Sequence, residues 1–152
     1  MASGIFVHRE VDTHLIIRKI FSKKKQSKLP TFGKITNVNA FEFLDRVEQA
    51  DPLVYIVVHL YESTIEACNA LHTTLESLAR EHPHTDFVRL RKSETPTGLP
   101  NTSLPSLLIY KAGDLVNTVM SVVDKIGPKC LKEDVEELLV EEGIIGHSHV
   151  SL

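Results

Sequence analysis

The run Leu53-Val54-Tyr55-Ile56-Val57-Val58-His59-Leu60-Tyr61 decides the fold. Nearly every position is apolar and several are β-branched, which predicts a central strand covered on both faces. His59 alternates with core residues on that strand, so a buried structural histidine with satisfied ring nitrogens is expected there. Directly after the strand, Ile65, Cys68, Leu71, Leu75, Leu78 and Ala79 recur at spacings of three and four. That period predicts a helix over residues 62–81, closed by His82-Pro83. The first turn of this helix carries one cysteine, Cys68, with an isoleucine three residues before it.

Outward from this strand and helix, the pattern alternates. Ile35-Thr36-Asn37-Val38 reads as a short strand. Asn39 with Glu42 three residues on has the form of a capping box, opening a helix through Phe41, Leu44 and Val47. Phe87-Val88-Arg89-Leu90-Arg91 alternates as a half-exposed strand, and residues 92–103 form a polar loop with Pro96, Gly98 and Pro100. A hairpin follows, Ser106 to Lys111 and Leu115 to Val123, turned by Ala112-Gly113-Asp114. Gly127-Pro128 then opens a last helix with Leu131, Val135, Leu138 and Leu139 as its buried stripe, stopped by Gly143. The order βαβαβ-loop-ββα predicts an α/β fold, a mixed sheet with helices on both faces. Three regions result: a basic arm over 1–31, either a short helix carrying Leu15, Ile16 and Ile20 or unstructured; one folded domain over 32–145; and a flexible tail over 146–152.

A chain of 152 residues fits one ordinary core, burying roughly 68–70% of the surface its extended form exposes. With 42% hydrophobic and 24% charged residues, it has the composition of a soluble globular protein. Its apolar runs are strand-sized, and the N-terminus lacks the basic start and apolar centre of a secretory signal, so a cytoplasmic address is expected. Cys68 and Cys130 match neither a disulfide framework nor a zinc spacing and are read as free thiols. His82, His84, His147 and His149 have no cysteine partners nearby and read as surface histidines. The acidic run Glu133-Asp134-Val135-Glu136-Glu137 reads as the solvated face of the last helix. No phosphate loop, nucleophile elbow, zinc-protease signature or paired-carboxylate motif is present, so no cofactor and no metal are expected.

The net charge of −3 hides a division. Residues 1–34 carry 8 basic and 2 acidic side chains; the remainder carries 9 basic and 18 acidic ones. The arm residues Arg18, Lys19, Lys23, Lys24, Lys25 and Lys28 are therefore candidate partner contacts, able to steer toward an anionic protein surface or to touch an anionic membrane weakly. Nucleic acid is not the expected partner. Ser22 follows Arg18-Lys19 and is a candidate phosphorylation site, where roughly −1.5 to −2 charges would offset part of the arm's field.

In combination, Phe32-Gly33, the strand ending His59-Leu60-Tyr61-Glu62, the helix Cys68-Asn69-Ala70-Leu71 to Leu75-Glu76-Ser77-Leu78-Ala79, and Leu104-Pro105-Ser106-Leu107-Leu108-Ile109-Tyr110-Lys111 resemble the phosducin and phosducin-like family. Most of that family's N-terminal helical region has no counterpart in this sequence. The resemblance implies a thioredoxin-like domain without oxidoreductase activity. Aligned on a thioredoxin strand, Ile65 takes the position of the attacking thiol, Cys68 that of the resolving one, and Pro105 that of the cis proline beside the active-site helix. Loop 92–103 falls where a thioredoxin keeps its third helix. Family members bind the beta-gamma dimer of heterotrimeric G proteins, and some act with the cytosolic chaperonin, so the implied partner is one of these two. The implied function is a non-catalytic adaptor that regulates G-protein signalling. The alternatives are a co-chaperone in client folding or assembly and a monothiol oxidoreductase using Cys68, which would lack the second sulfur that dithiol exchange requires.

Overall fold

Five strands form one sheet: β1 (Ile35–Val38), β2 (Tyr55–Tyr61), β3 (Asp86–Arg91), β4 (Ser106–Lys111) and β5 (Asp114–Val119). Their spatial order is β1-β3-β2-β4-β5. The first three in that order run parallel, while β4 is antiparallel to β2 and β5 antiparallel to β4. Among the described residues the helices are α1 (Ala40–Gln49), α2 (Glu66–Glu81), α3 (Val122–Ile126) and α4 (Lys132–Glu141), with 3-10 turns at Lys92–Glu94 and Asn101–Ser103. This computed structural model describes residues 29–96 and 98–146. The chain divides after Pro30, and the unit that begins at Thr31 is described by itself. The arm residues Arg18 to Lys28, Ser22 among them, and the tail from residue 147 lie outside the described residues.

β2 is apolar because it sits between two neighbours and two layers. Val58 stands opposite Val88 on one side and Leu108 on the other. On one face Val57, Phe87, Leu107 and Ile109 pack against Leu71, Leu75 and Leu78 of α2 and Val135 and Leu139 of α4. On the other face Ile56, Val58, Leu60, Val88 and Leu90 pack against Phe43 and Val47 of α1. Each fully buried side chain of this size stabilises the fold by about 1.5–3 kcal/mol.

Several boundaries differ from the sequence expectation. The capping box at Asn39 is present in both directions, with Glu42 N donating to Asn39 Oδ1 at 2.8 Å and Asn39 N donating to Glu42 Oε1 at 2.9 Å. That cap fixes the phase of α1 so that Phe43 and Val47, rather than Phe41 and Leu44, face the sheet. Helix α2 begins at Glu66 and not at 62, because Ile65 N bonds back to Glu62 O at 3.1 Å in a preceding turn. The second hairpin strand stops at Val119: Ser121 turns left-handed (φ 51°), its N–H donates to Ser103 O at 2.8 Å, and Val122 N donates to Pro105 O at 3.0 Å. The apolar residues beyond it form α3 instead of strand. Leu131 is the exposed N-cap of α4, not part of its buried stripe. β3 is a largely covered interior strand rather than a half-exposed one, since Phe87 packs into the core on one face and Val88 and Leu90 into the core on the other. At the hairpin turn Ala112 (φ 53°) and Gly113 (φ 85°) are both left-handed, the two-residue turn whose twist matches the strands.

Candidate functional site

The carboxyl end of β2 delivers the chain to the N-terminus of α2. Ile65 is the N-cap, extended (φ −99°, ψ 114°) and half-buried, and its side chain makes no capping hydrogen bond. The next amides are held by the turn itself, with Cys68 N donating to Ile65 O at 3.0 Å. Glu62 is anchored from the neighbouring strand end, where its Oε2 accepts from Ser93 N at 2.6 Å. Cys68 lies one turn inside, fully buried, in the same apolar cluster as Leu60, Tyr61 and Leu104, with Ile65 packed against it. Burial pushes the Cys68 thiol above its ordinary range, against a smaller lowering by its hydrogen bond near Glu62 and by Arg89. The Leu104–Pro105 peptide bond is cis, and Pro105 O accepts from Val122 N, which ties this loop to the start of α3.

A second sulfur lies close by that the sequence reading did not place here. Cys130, buried and left-handed (φ 47°), has its Sγ 4.0 Å from the carbonyl oxygen of Ala67 in the first turn of α2. Its own carbonyl accepts from Thr74 Oγ1 at 2.6 Å, which fastens the loop before α4 onto α2. Burial raises this thiol as well, with Cys68 adding to the effect. Both cysteines are free. A separation of 62 positions gives no sign of this proximity; it follows from α4 packing on α2. Beside them an open cleft of about 460 Å³ is lined by Glu66, Ala67, Ala70, Pro128 and Lys129.

Behind the turn the sheet is cationic. His59 is fully buried, and burial first, then Arg89 and His72, lower its pKa to about 3. Neither ring nitrogen has a hydrogen-bond partner among the described residues, which corrects the expectation of a satisfied histidine. The reason is the register: His59 faces Arg89 on β3 and Leu107 on β4, and neither offers an acceptor side chain. Arg89 and Arg91 lie over the Tyr61 ring, at 3.7 and 5.8 Å from its centroid. The turn over residues 62–65 is thus polar but for Ile65, the thiol behind it is buried with its pKa raised, and Arg89 and Arg91 stack on Tyr61 in the sheet beneath.

Two further expectations are corrected. Glu136 is buried rather than solvated, and His82 is not incidental surface: its Nε2 lies 3.1 Å from Glu136 Oε2, joining the end of α2 to α4. With Glu81 they form a His and two-carboxylate group whose nearest ligand atoms lie within 4.8 Å of one another, the cluster among the described residues able to hold a metal. Lys132 pairs with Glu81 there, so a cation already meets part of that charge.

A phosducin family model matches residues 16–152. The chain belongs to the phosducin family. It is 31% identical to bovine phosducin over 91% of this chain and 60% of that protein, and 30% identical to a phosducin-like protein of Schizosaccharomyces pombe over 84% of this chain and 55% of that protein. This phosducin-family chain thus spans about six tenths of the length of these curated relatives. Among solved structures, spinach chloroplast thioredoxin f (long form) matches with a TM-score of 0.58 and 26% identity, covering 75% of this chain and 86% of that one. A mutant thioredoxin from Halobacterium salinarum matches with a TM-score of 0.57 and 17% identity, over 76% and 96% of the two chains. The fold of this phosducin-family chain is thioredoxin-like. Among the described residues no helix is long and apolar enough to cross a membrane.

Proposed function

We propose that this phosducin-family chain is a non-catalytic cytosolic adaptor that binds the beta-gamma dimer of heterotrimeric G proteins and regulates their signalling. One observation carries the non-catalytic half of this reading: Ile65 stands at the N-cap of α2, where an attacking sulfur would have to stand, and the remaining thiol, Cys68, is fully buried with its pKa raised. A thiol without a thiolate and without an exposed partner neither attacks a disulfide nor resolves one. Family membership supports the regulatory half, since the relatives are phosducins and phosducin-like proteins. The basic residues Lys23, Lys24 and Lys25 act in this reading as steering charges toward an anionic partner surface, and phosphorylation at Ser22 weakens that steering.

Capture from cytosol on the immobilised full chain, read by mass spectrometry, tests the assignment. Recovery of beta-gamma subunits supports it; recovery of chaperonin subunits without beta-gamma replaces it by the co-chaperone reading. Insulin-disulfide reduction that disappears in Cys68→Ser would overturn the non-catalytic half.

A further inference from the structure

The two faces of the sheet are unequally covered. Helices α2, α3 and α4 supply core residues to one face, whereas the other is packed by α1 with Cys68 from the start of α2. Phe43 of α1 sits edge-on against Tyr110 of β4, with ring centroids 5.1 Å apart, so Tyr110 belongs to the α1 face. Leu115 is the cross-strand partner of Tyr110 and shares that face. Leu115 is nevertheless 50% exposed, on an edge strand that no helix of the described residues covers on this side.

The flank of α1 that looks toward β4 and β5 is equally open. Arg46 occupies the opposite flank, reaching Asp86 on β3 at 2.6 Å. Leu44, two residues before it and about 160° round the helix, is 55% exposed, and Phe41 is 84% exposed. Asp45 and Glu48 stand four residues after Phe41 and Leu44, one turn along on the same side, and both are exposed. The nearest lysine of the hairpin, Lys111, leans on the Tyr55 ring at 4.5 Å, and Tyr55 packs with the α2 and α4 core on the other face. The α1 side of β4 and β5 thus carries the apolar residues Leu44, Tyr110 and Leu115 with the exposed Thr118 beside them, and it is bordered on α1 by Asp45, which accepts from Gln49, and by Glu48.

We propose that this surface is a docking site for a basic amphipathic helix of a partner protein, its apolar stripe laid over Leu44, Tyr110 and Leu115 and its lysines or arginines facing Asp45 and Glu48. The charge pattern selects this occupant: an acidic helix would meet like charge along α1, and an extended peptide on the edge of β5 would leave Phe41 and Leu44 uncovered. The proposal deepens the adaptor reading by naming the chemistry of one partner element, and rests on that reading for its biological meaning alone.

The test is a fluorescence-anisotropy titration of the full chain with a labelled 18-residue Leu/Lys peptide whose leucines repeat at helical spacing. The expected result is saturable binding that weakens at least about tenfold in Leu44→Asp/Leu115→Asp. Asp45→Asn/Glu48→Gln should weaken it and flatten its salt dependence. Leu131→Asp, an exposed leucine at the start of α4, should bind as the parent does. The three leucines are half exposed or more and Asp45 and Glu48 are exposed, and an unchanged melting temperature confirms the fold of each variant. No saturable binding, equal weakening by Leu131→Asp, or equal affinity for a Leu/Glu peptide of the same spacing would overturn the proposal. Beta-gamma capture that persists while the peptide fails to bind removes this inference and leaves the adaptor assignment standing.

Discussion

His59 sits in the middle of the sheet as a neutral imidazole, and its position sets an acid sensitivity. Its pKa is about 3 in the folded chain against 6.5 for the free side chain. Between those values the unfolded chain holds a proton that the folded chain lacks. The stabilisation is therefore complete above pH 6.5 and is lost as pH falls toward 3, by up to about 1.4 kcal/mol per pH unit. Urea unfolding at pH 7.0 and pH 5.5 should show that loss, and His59→Leu should remove most of it. An unchanged pH slope in the variant would contradict the burial assigned here. At the same scale, Cys68 and Cys130 should be inert to a disulfide reagent in the native protein at pH 7.5 and both react after denaturation. Rapid native labelling of Cys68 would show a thiolate that the structure does not provide. The burial of His59 was legible from its alternation with valines and leucines. Its missing partners were not, because they depend on which strands flank β2. Glu136 was misread for a related reason: four acids in five positions look solvated until α2 places His82 over one of them.

Helix α1 is fastened at both ends by polar contacts that do different work. The capping box sets where it begins, and the fork from Arg46 to Asp86, with Nε donating at 2.6 Å and Nη2 at 3.0 Å, ties its last turn to the start of β3. Asp86 is buried, so removing its partner strands a carboxylate in the sheet. Arg46→Ala should lower unfolding free energy by about 2–4 kcal/mol, more than a surface pair would cost. A loss below about 1 kcal/mol in a denaturant titration would show that water reaches Asp86 and that the fork is an exposed pair. Element types and most boundaries were legible here because caps and turns act locally, as with Asn39, Pro83 and the Ala112-Gly113 turn. The misplaced elements were those decided at a distance. Val122 and Val123 have strand-like side chains but are turned into α3 where Ser121 N and Val122 N donate to the loop carbonyls of Ser103 and Pro105. Phe41 and Leu44 fit a helical period but lose the core to Phe43, whose phase the cap imposes.

At the scale of the whole molecule, a thioredoxin-like sheet keeps its scaffold while an isoleucine, Ile65, caps α2 and the two sulfurs are enclosed. The fold class was legible because β2, α2, the proline before β4 and the hairpin carry it together in one order. Less of the candidate site could be read, since Cys130 reaches α2 only through the packing of α4. The basic arm lies outside the described residues, so its role rests on its charge and is separable by mutation. The most direct measurement is surface plasmon resonance of the purified full chain over immobilised beta-gamma dimer at physiological salt. Saturable binding is expected, unchanged in Cys68→Ser and with association slowed by neutralising Lys23, Lys24 and Lys25. Absence of binding, together with disulfide reductase activity lost in Cys68→Ser, would contradict the adaptor assignment.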